Sequence, residues 1–379
     1  MKKIVKVAAI PQSLNVLLKG QFSMLSEKYE VICIASPGNA MDELRDREGV
    51  RTVPIRIERR ISPLHDIASL WKLIVFFWKE RPDMVHSITP KAGLLSMMAA
   101  CLTGVPVRIH TFTGLVFPTS DGLKRKLLML TDRITCICAT HINPEGYGVK
   151  SDLEKYRITG KPMSVIGNGN VNGIDLEFFR KNEDLLAKAA PYMDSKLFTF
   201  IYIGRIVRDK GINELIRVFV KINEKYPQSR LILVGSIEEK DPVDADVLSI
   251  IKSFPSIEYV GFQKDVRPFL AASDVFVFPS YREGFPNVVM QAGAMDLPCI
   301  VTDINGSNEI IIDGENGIII PVKNEKALFS AMENLISNPE LLASLSKNAR
   351  QMIMARYEQR QFWSQLLNYY DNAFKTVGE

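Results

Sequence analysis

The chain has 379 residues, of which 46% are hydrophobic and 24% charged, and its formal net charge is only +4. This composition suits about two domains with sizeable cores and excludes a disordered, collagenous or disulfide-scaffold protein. The small net charge gives no indication of nucleic-acid binding. It conceals an asymmetry, since residues 1–175 hold 24 basic and 16 acidic side chains, which makes the first half basic and the remainder acidic.

The first half alternates short β-rich runs with helical patterns. Strands are predicted at residues 4–10, 31–35, 52–55, 84–88, 107–112 and 134–139, and helices at 64–80 and 93–103. This alternation predicts parallel βαβ units whose strands are buried on both faces. Lys6 and Pro11 interrupt the first apolar run, which therefore suits a buried strand better than a signal peptide.

The five cysteines predict a reducing, cytoplasmic environment. They lie mostly in apolar runs and are odd in number, so we expect small core residues rather than disulfides. Cys136 and Cys138 would share one face of the predicted strand at 134–139, but no second pair follows at metal-binding spacing. No stretch of 18 uncharged apolar residues occurs, so no membrane span is expected.

Residues 167–196, rich in Gly, Asn and polar side chains, are predicted to connect two domains. The alternation then restarts, with strands at 197–204, 230–235, 257–261, 274–280, 298–303 and 317–321 and helices between them, near 211–226, 265–272 and 287–296 among others. The tail from residue 324 is helical and carries an aromatic stripe that must pack on another element. We therefore predict two doubly wound α/β domains that face each other across a cleft.

A loop with two prominent cations lies between a predicted strand and a predicted helix, at Gly204-Arg205-Ile206-Val207-Arg208-Asp209-Lys210-Gly211. Free N–H groups and the positive end of the helix dipole favour an anion there. Arg205 suits bidentate phosphate contacts, and Lys210 supplies a point charge. The spacing matches neither a Walker loop nor G-x-G-x-x-G, so a solvated loop with surface cations stays open as an alternative.

A second loop, SYREGFPNVVMQA at residues 280–292, follows another predicted strand. Glu283 comes just after the strand, and Gly284 permits close backbone approach. Asn287 can start a helix, and Gln291 lies one turn further on the same helical face. The Glu283 carboxylate in the loop and the Gln291 amide one turn into the helix would form hydrogen bonds with two hydroxyl-bearing parts of one ligand. Simple helix capping is the alternative interpretation.

Together these segments resemble the retaining family 4 glycosyltransferases, which use a nucleotide-sugar donor on the GT-B fold of two Rossmann-like domains. The resemblance rests on Asn172-Gly173-Ile174-Asp175 with Phe179, the GRxxxxKG and EGFP loops, and Gly306 with Glu309. It implies an acceptor-binding domain at 1–170, a donor-binding domain at 171–357 and a C-terminal helix at 358–379 that packs back on the first domain. PKAGLL, HTFTGL and GNGNVNGID look like the branch that builds bacterial capsule or O-antigen units on a polyprenyl-diphosphate lipid.

By this resemblance Arg205 and Lys210 would hold the donor diphosphate, and Glu283 would contact the sugar hydroxyls. The donor-binding positions are Gly204, Gly261, Phe262, Gly284, Phe285, Pro286, Asn287 and Gln291. The family's second glutamate, which holds the ribose hydroxyls, is replaced here by Gln291, so a charge-assisted hydrogen bond is lost. The resemblance favours UDP over GDP.

The first domain departs further from the family pattern. Its glycine-rich loop is IPQSLN here, and the family's histidine aligns with Phe112. His110, two residues earlier on the same strand face, is therefore a candidate catalytic residue, with a structural histidine as the alternative; His86 is a weaker candidate. Acceptor-side contacts are expected from Ser13, Lys91 and Gly114, which follow predicted strands.

The expected chemistry is front-face transfer with retention, since no carboxylate is clearly placed for a double displacement. The two cations and the helix ends would stabilise the departing nucleoside diphosphate, while a donor phosphate oxygen helps to deprotonate the acceptor. We expect no metal or other cofactor, and interpret Asp244-Ala245-Asp246 as loop and helix capping rather than a metal-binding D-x-D. A nucleotide-sugar 2-epimerase and a nucleotide-sugar-binding protein with weak or no catalysis are the alternatives.

A basic amphipathic stretch, residues 123–130, predicts docking on anionic lipid, with further charge from Arg56, Arg59 and Arg60. We therefore expect a peripheral location on the cytoplasmic face of the inner membrane. A core helix with a solvated basic edge is the alternative.

Overall fold

The computed structural model describes residues 1–58 and 62–378. Arg59 and Arg60, which we expected to add basic charge, lie outside the described residues. The chain divides into two units: the first holds residues 1–173 together with the chain from Gln359, and the second holds Ile174–Glu358. Each unit is built on its own parallel sheet.

The first sheet consists of six parallel strands. These are β1 (Lys3–Val7), β2 (Glu30–Ala35), β3 (Arg51–Pro54), β4 (Met84–Ile88), β5 (Val107–Phe112) and β6 (His141–Pro144). Their order is β3-β2-β1-β4-β5-β6, so the direction of strand addition reverses between β1 and β4. Apolar runs such as VICIA in β2 are buried, as expected for parallel strands covered by helices on both faces.

The first-unit helices are α1 (Pro11–Asn15), α2 (Gln21–Ser26), α3 (Asn39–Glu48), α4 (Pro63–Glu80), α5 (Pro90–Leu102), α6 (Gly122–Cys138) and α7 (Tyr147–Lys155). The helices α4, α5 and α6 join strands that advance in one direction across the sheet. Right-handed crossovers therefore place these three helices on the same face. Helix α5 packs between the other two, while α1, α2 and α3 follow crossovers in the opposite direction and cover the other face.

The second unit repeats this plan. Its helices are α8 (Glu183–Ala189), α9 (Ile212–Lys225), α10 (Ala245–Ser253), α11 (Arg267–Ala271), α12 (Asn287–Ala294), α13 (Ser307–Ile310), α14 (Glu325–Ser337) and α15 (Pro339–Tyr357). Its strands are β7 (Phe198–Ile203), β8 (Ser229–Val234), β9 (Ile257–Gly261), β10 (Val275–Phe278), β11 (Cys299–Thr302) and β12 (Gly317–Ile320). All pairs are parallel in the order β12-β11-β10-β7-β8-β9, so the reversal falls between β7 and β10.

The last helix, α16 (Gln359–Gly378), packs into the core of the first unit. Phe362, Leu366 and Tyr370 are buried in one cluster with residues of β1, β2 and α2. The Lys6 Nζ on β1 also donates a hydrogen bond to the Tyr370 hydroxyl at 3.0 Å. The two doubly wound sheets and this returning helix confirm the predicted α/β fold class.

The strand predicted at residues 134–139 is wrong, because these residues end α6 and the strand follows at β6. The buried side chains of α6 are Asp132, Thr135 and Cys136, which follow helical spacing. Cys136 is buried whereas Cys138 is half-buried, so the two cysteines do not share a face as a strand would require. Packing of α6 on α5 overrides the local strand preference of this β-branched run.

Candidate functional site

The two predicted anion-binding loops begin at neighbouring strands of the second sheet. Residues 204–211 follow β7, and residues 280–287 follow β10 after a short connection. These strands are adjacent and parallel, so both loops leave the same edge at the point where the strand order reverses. Ligands of open α/β sheets bind in the crevice outside the carboxyl ends of strands at this position.

The backbones of the two loops are in direct contact. The Tyr281 N–H donates a hydrogen bond to the Asp209 carbonyl oxygen at 2.9 Å. Gly211 has a φ of +71°, and a Cβ at this position would overlap the Pro279 carbonyl oxygen. Glycine is therefore required at position 211 by both its backbone conformation and this close approach.

Lys210 and Glu283 form an ion pair between the loops. Their side chains are only 12% and 17% exposed, and the Ser280 hydroxyl donates to Glu283 Oε1 at 2.9 Å. The Lys210 ammonium also lies 5.8 Å from the centre of the Phe278 ring. The pair thus places one cation and one hydrogen-bond acceptor side by side at the edge of the sheet.

Arg205 has a different carboxylate partner. Its guanidinium lies 3.3 Å from Glu238, in the loop after β8, and its side chain is half exposed. The carbonyl oxygen of Arg205 accepts a hydrogen bond at 2.9 Å from Tyr202, whose pKa is raised well above its ordinary value by burial. The backbone of this loop is thereby fixed while the guanidinium keeps access to solvent.

Gly306 packs closely against the EGFP segment, residues 283–286. Gly306 has a φ of +76°, and a Cβ there would overlap Gly284, Phe285 and Pro286. The Phe285 ring packs edge-on against Tyr357 of α15, with 5.6 Å between ring centres. The loop is therefore held between the segment after β11 and the long helix α15.

Helix α12 begins directly behind this loop. Pro286 occupies the N-cap, so Asn287 is the first helical residue rather than the cap that the capping alternative requires. Gln291 lies one turn further along and is half-buried. The first N–H groups of this eight-residue helix have no partner within the helix, and they follow the EGFP loop directly in the chain.

Gly204 and Gly235 are closely packed beside the first loop. A Cβ at Gly204 would crowd the Tyr202 hydroxyl, and a Cβ at Gly235 would overlap the Gly204 carbonyl oxygen. The Gly235 N–H donates to the Gly261 carbonyl oxygen at 2.8 Å. Phe262, next to Gly261 at the end of β9, is 77% exposed. The carboxyl end of β9 therefore presents an exposed aromatic ring next to backbone polar groups.

The three predicted acceptor-side residues follow neighbouring strands of the first sheet: Ser13 after β1, Lys91 after β4 and Gly114 after β5. They lie beyond carboxyl ends of the strands, two of which flank the switch point of that sheet. The backbone N–H of Ser13, the group by which it could contact a ligand at the start of α1, donates instead to the Ile10 carbonyl oxygen at 3.0 Å. Lys91 pairs with Asp66 at 2.7 Å, and Gly114 has a φ of +95°.

His110 lies beneath the surface, with 1% of its area exposed. Its Nδ1 is 2.8 Å from the Ser87 hydroxyl, and its ring fills the space above Gly93 that a Cβ would occupy. Burial lowers the pKa of His110 to about 3. The ring is thus neutral and contacts Phe112 at 4.5 Å between ring centres, without reaching solvent.

His86, the weaker candidate, belongs to a buried polar network. Its Nδ1 lies 2.6 Å from the Tyr370 hydroxyl, and its Nε2 lies 2.7 Å from the Thr111 hydroxyl. Burial lowers the pKa of His86 well below its ordinary value. These contacts tie the sheet to α16.

The carboxylates of the D-x-D segment contact arginine side chains. Asp244 is the N-cap residue of α10 and lies 2.6 Å from Arg217 and 3.3 Å from Arg208. Asp246 lies 3.4 Å from the same Arg217. Within residues 1–58 and 62–378, no group of three or more His, Cys, Asp or Glu side chains could hold a metal ion.

The basic stretch at residues 123–130 forms the first half of α6. Leu123 is 83% exposed, and Lys124 and Lys126 are exposed beside it. None of the helices in the described part of the chain is long and apolar enough to cross a bilayer.

Two residues that contact the first loop, Gly235 and Glu238, were not predicted from the sequence as site residues. Both follow β8, and RLILVG followed by an acidic SIEEK segment carries the usual signal of a strand that ends in a glycine turn. Their role depends on the packing of that turn against Gly204 and Arg205, which neither local segment reveals alone.

Two family models match the chain. The one described as "Glycosyl transferase 4-like domain" matches residues 24–169, and the one described as "Glycosyl transferases group 1" matches residues 186–352. Both sheets and both loops of the candidate site fall largely within these ranges.

Curated relatives match over most of their length. The capsular polysaccharide biosynthesis glycosyltransferase CapM of Staphylococcus aureus is 32% identical over 99% of this chain and 98% of its own. The UDP-Gal:alpha-D-GlcNAc-diphosphoundecaprenol alpha-1,3-galactosyltransferase of Escherichia coli is 29% identical over 88% of this chain and 87% of its own.

Solved structures share the fold. A glycosyltransferase from Rickettsia africae superposes with a TM-score of 0.81 at 20% identity, covering 99% of both chains. Anabaena HepE in complex with UDP superposes with a TM-score of 0.79 at 16% identity, covering 98% of this chain and 100% of its own. From these matches and the two doubly wound units, we conclude that the chain belongs to the family 4 glycosyltransferases of GT-B fold.

Proposed function

We propose that this glycosyltransferase moves a sugar, with retention, from a UDP-sugar to a polyprenyl-diphosphate-linked saccharide in surface polysaccharide synthesis. The observation that carries the proposal is the Lys210–Glu283 pair at the switch point of the second sheet. The name of the E. coli relative includes both a UDP-linked donor and a diphosphoundecaprenol acceptor. The Anabaena structure was solved with UDP.

In this proposal the second unit, which corresponds to the donor-binding domain predicted at 171–357, binds the donor. Arg205 and Lys210 pair with single carboxylates in the present structure. A diphosphate carries more charge and more acceptor atoms than either carboxylate, so it would take over both cations. Glu283, released from Lys210, would then accept hydrogen bonds from the sugar hydroxyls.

The remaining donor contacts follow from the loop geometry. The N–H groups at the start of α12 and the backbone of residues 284–287 would cover the sugar and the phosphate nearest to it. Gln291, one turn into α12, would bond the ribose hydroxyls. Gly261 and Phe262 would contact the base through the backbone and the exposed ring.

The proposed chemistry is a front-face displacement. The bond between the anomeric carbon and the phosphate oxygen breaks, and the acceptor oxygen bonds to the same face of the sugar. The acceptor proton passes to a donor phosphate oxygen, and UDP leaves with its charge stabilised by Arg205 and Lys210. These two cations make the proposed reaction independent of metal ions.

The first unit, which corresponds to the acceptor-binding domain predicted at 1–170 joined by the C-terminal helix, would bind the acceptor. Gly114 and Lys91 follow adjacent strands, where they can border an acceptor site. His110 is too deeply buried to contact a substrate in this structure, so we propose a positioning role. Its contact with Phe112 would hold the end of β5, from which the loop bearing Gly114 begins.

Basic helix α6 would associate with an anionic inner-membrane surface, where a polyprenyl-linked acceptor resides. Its exposed Lys124 and Lys126 next to Leu123 and Leu127 suit interfacial binding. The enzyme would thus be peripheral.

The deciding experiment incubates the protein with a panel of UDP- and GDP-sugars, with and without a polyprenyl-diphosphate saccharide. Free nucleoside diphosphate is followed, and the anomeric configuration of the product is determined by NMR coupling constants. Transfer of an α-configured sugar from a UDP-sugar, only when acceptor is present, is the expected result. An inverted product would overturn the retaining mechanism. Release of UDP with an epimerised sugar and no acceptor would indicate the epimerase, and saturable donor binding without turnover would indicate the binding protein.

A further inference from the structure

Helix α4 exposes a row of large apolar side chains. Leu64, Ile67, Trp71 and Trp78 are 82%, 65%, 64% and 67% exposed. Their separations of three, four and seven residues place them along one face of the helix. The side chains that α4 buries are Ser69, Leu73 and Phe77, on the opposite face. A contiguous exposed apolar row of this kind marks an interaction surface.

The exposed charges beside this row on α4 are positive. Lys72 and Lys79 are exposed next to the two tryptophans. The two acidic side chains of α4 form ion pairs with lysines outside the helix: Asp66 with Lys91 at 2.7 Å, and Glu80 with Lys3 at 2.8 Å. The outer side of α4 therefore combines apolar area with positive charge.

Helix α6 continues the same surface on the other side of α5, because both helices cover one face of the first sheet. Its Leu123, Leu130 and Ile137 are 83%, 51% and 71% exposed. Its single acid, Asp132, is buried, whereas Arg133 is exposed. The outer faces of α4 and α6, termed here the α4–α6 face, thus form one apolar and basic layer.

We infer that the α4–α6 face docks on an anionic bilayer and that α4 inserts its tryptophans among the lipid headgroups. Tryptophan favours the membrane interface, and lysine side chains can extend from there toward water and anionic headgroups. A symmetric dimer through this face would bring like charges of the two copies together, which disfavours a second copy as the occupant. The inference rests on the proposed membrane-linked acceptor, and it adds an inserting helix to the electrostatic contact proposed for α6.

Intrinsic fluorescence gives a direct test, because the chain has three tryptophans and two of them lie on α4. The third, Trp363, is half-buried in α16 and donates to Asn172 Oδ1 at 2.8 Å. The full-length protein is titrated with vesicles of phosphatidylcholine and phosphatidylglycerol in equal amounts. We expect a blue shift of the emission and quenching by lipids brominated near the headgroup. Emission that is unchanged under conditions where the protein sediments with the vesicles would overturn the insertion of α4.

Substitutions separate insertion from electrostatic attraction. Trp71→Ser combined with Trp78→Ser should weaken sedimentation with these vesicles about tenfold or more, in low and in high salt. Trp71→Phe with Trp78→Phe should restore most of the binding. Lys124→Gln with Lys126→Gln should weaken binding mainly at low salt, where charge attraction is least screened. Met354→Ser on α15, 51% exposed in the second unit, is the control and should bind as the wild type does.

Two further outcomes would refute the inference. One is equal vesicle binding by the wild type and the Trp71→Ser, Trp78→Ser variant. The other is a concentration-dependent dimer, measured by light scattering without lipid, that this variant abolishes while neither protein binds vesicles. Failure of the proposed function is distinguishable, because it would appear as no transfer by the wild type to any acceptor, including a water-soluble short-chain one. The serine variant should retain transfer to that soluble acceptor.

Discussion

At the scale of single residues, Arg205 is the clearest test of the donor site. The Arg205→Ala variant should lower the rate of sugar transfer by about 10²–10³-fold, because it removes a fixed charge that stabilises the departing diphosphate. The measurement is kcat with saturating donor. Glu238→Gln is the matched control, since it removes only the carboxylate that lies 3.3 Å from Arg205 and should leave the rate close to wild type. Near-normal transfer by Arg205→Ala would remove this residue from the mechanism.

Gln291 allows a gain-of-affinity test. Gln291→Glu should tighten UDP binding about tenfold, because a carboxylate makes stronger hydrogen bonds to the ribose hydroxyls than an amide does. Titration calorimetry with UDP measures this directly, and Gln291→Ala should bind more weakly than either. If Gln291→Glu binds UDP no more tightly than the wild type, the ribose contact is misassigned.

These residue-level candidates differ in how far the sequence alone could predict them. Lys210 and Glu283 were identifiable because each lies in a short segment with a distinctive pattern. The partners Glu238 and Gly235 come from another strand connection, and only the sheet order places them beside Arg205 and Gly204. His110 shows the converse, because its position on β5 was predictable but its burial under α5 was not.

At the scale of elements, alanine substitutions at two glycines can distinguish the effect of backbone strain from the effect of steric contact with a loop. Gly306 and Gly314 both have a φ of +76°, but a Cβ at Gly306 would overlap residues 284–286, whereas a Cβ at Gly314 meets nothing within 4 Å. Each alanine substitution should cost about 1–2 kcal/mol of unfolding free energy through backbone strain. Only Gly306→Ala should also weaken UDP binding, because it displaces the EGFP loop. Equal UDP affinities for the two variants would contradict this role of Gly306.

The attachment of α16 to the sheet predicts a specific pH dependence. Lys6 is fully buried, and burial lowers its pKa from 10.5 to about 7. Between these values the unfolded chain keeps a proton that the folded chain has released, so the unfolding free energy rises with pH by up to about 1.4 kcal/mol per pH unit. Lys6→Met should remove this rise, as measured by urea unfolding across the interval.

Lys28 is the matched control for Lys6, because it also contacts α16, through Asp371 at 2.8 Å, but at the surface. Its pKa is raised by the hydrogen bond to Asp371, so its contribution is constant between pH 7 and 10.5 and is lost only above that range. Lys28→Met should therefore leave the slope unchanged. A slope that Lys6→Met does not alter would show that Lys6 remains charged in the folded protein.

The helices also show why some element-level predictions failed. Residues 134–139 are rich in β-branched and cysteine side chains, which predicts a strand, yet packing on α5 extends α6 through Cys138. The helix at 64–80 was predicted correctly, but apolar residues occur on both of its faces. Which face of α4 is covered depends on the crossover that places it beside α5, and this is a property of the whole sheet.

At the scale of the molecule, the fold class was predictable because it follows from a repeated local pattern. Each apolar run such as VICIA or RLILVG forms a buried strand, and the following helical pattern carries the chain back for the next parallel strand. The reversal between β7 and β10 then places two separate motifs at one edge. The excess of basic residues in the first half of the sequence falls in the first unit, to which the exposed lysines of the α4–α6 face belong.

For the catalytic scheme as a whole, we predict that sugar transfer requires no metal ion. Sugar transfer should be unchanged in EDTA, because Arg205 and Lys210 supply the positive charge that a divalent ion would otherwise provide. The carboxylates most similar to a D-x-D site, Asp244 and Asp246, are engaged by Arg217 at 2.6 and 3.4 Å. Asp246→Asn should accordingly keep wild-type activity, with the rate measured before and after chelation. Activity that EDTA abolishes and Mn²⁺ restores would refute the two-cation scheme and return the D-x-D segment to consideration as a metal site.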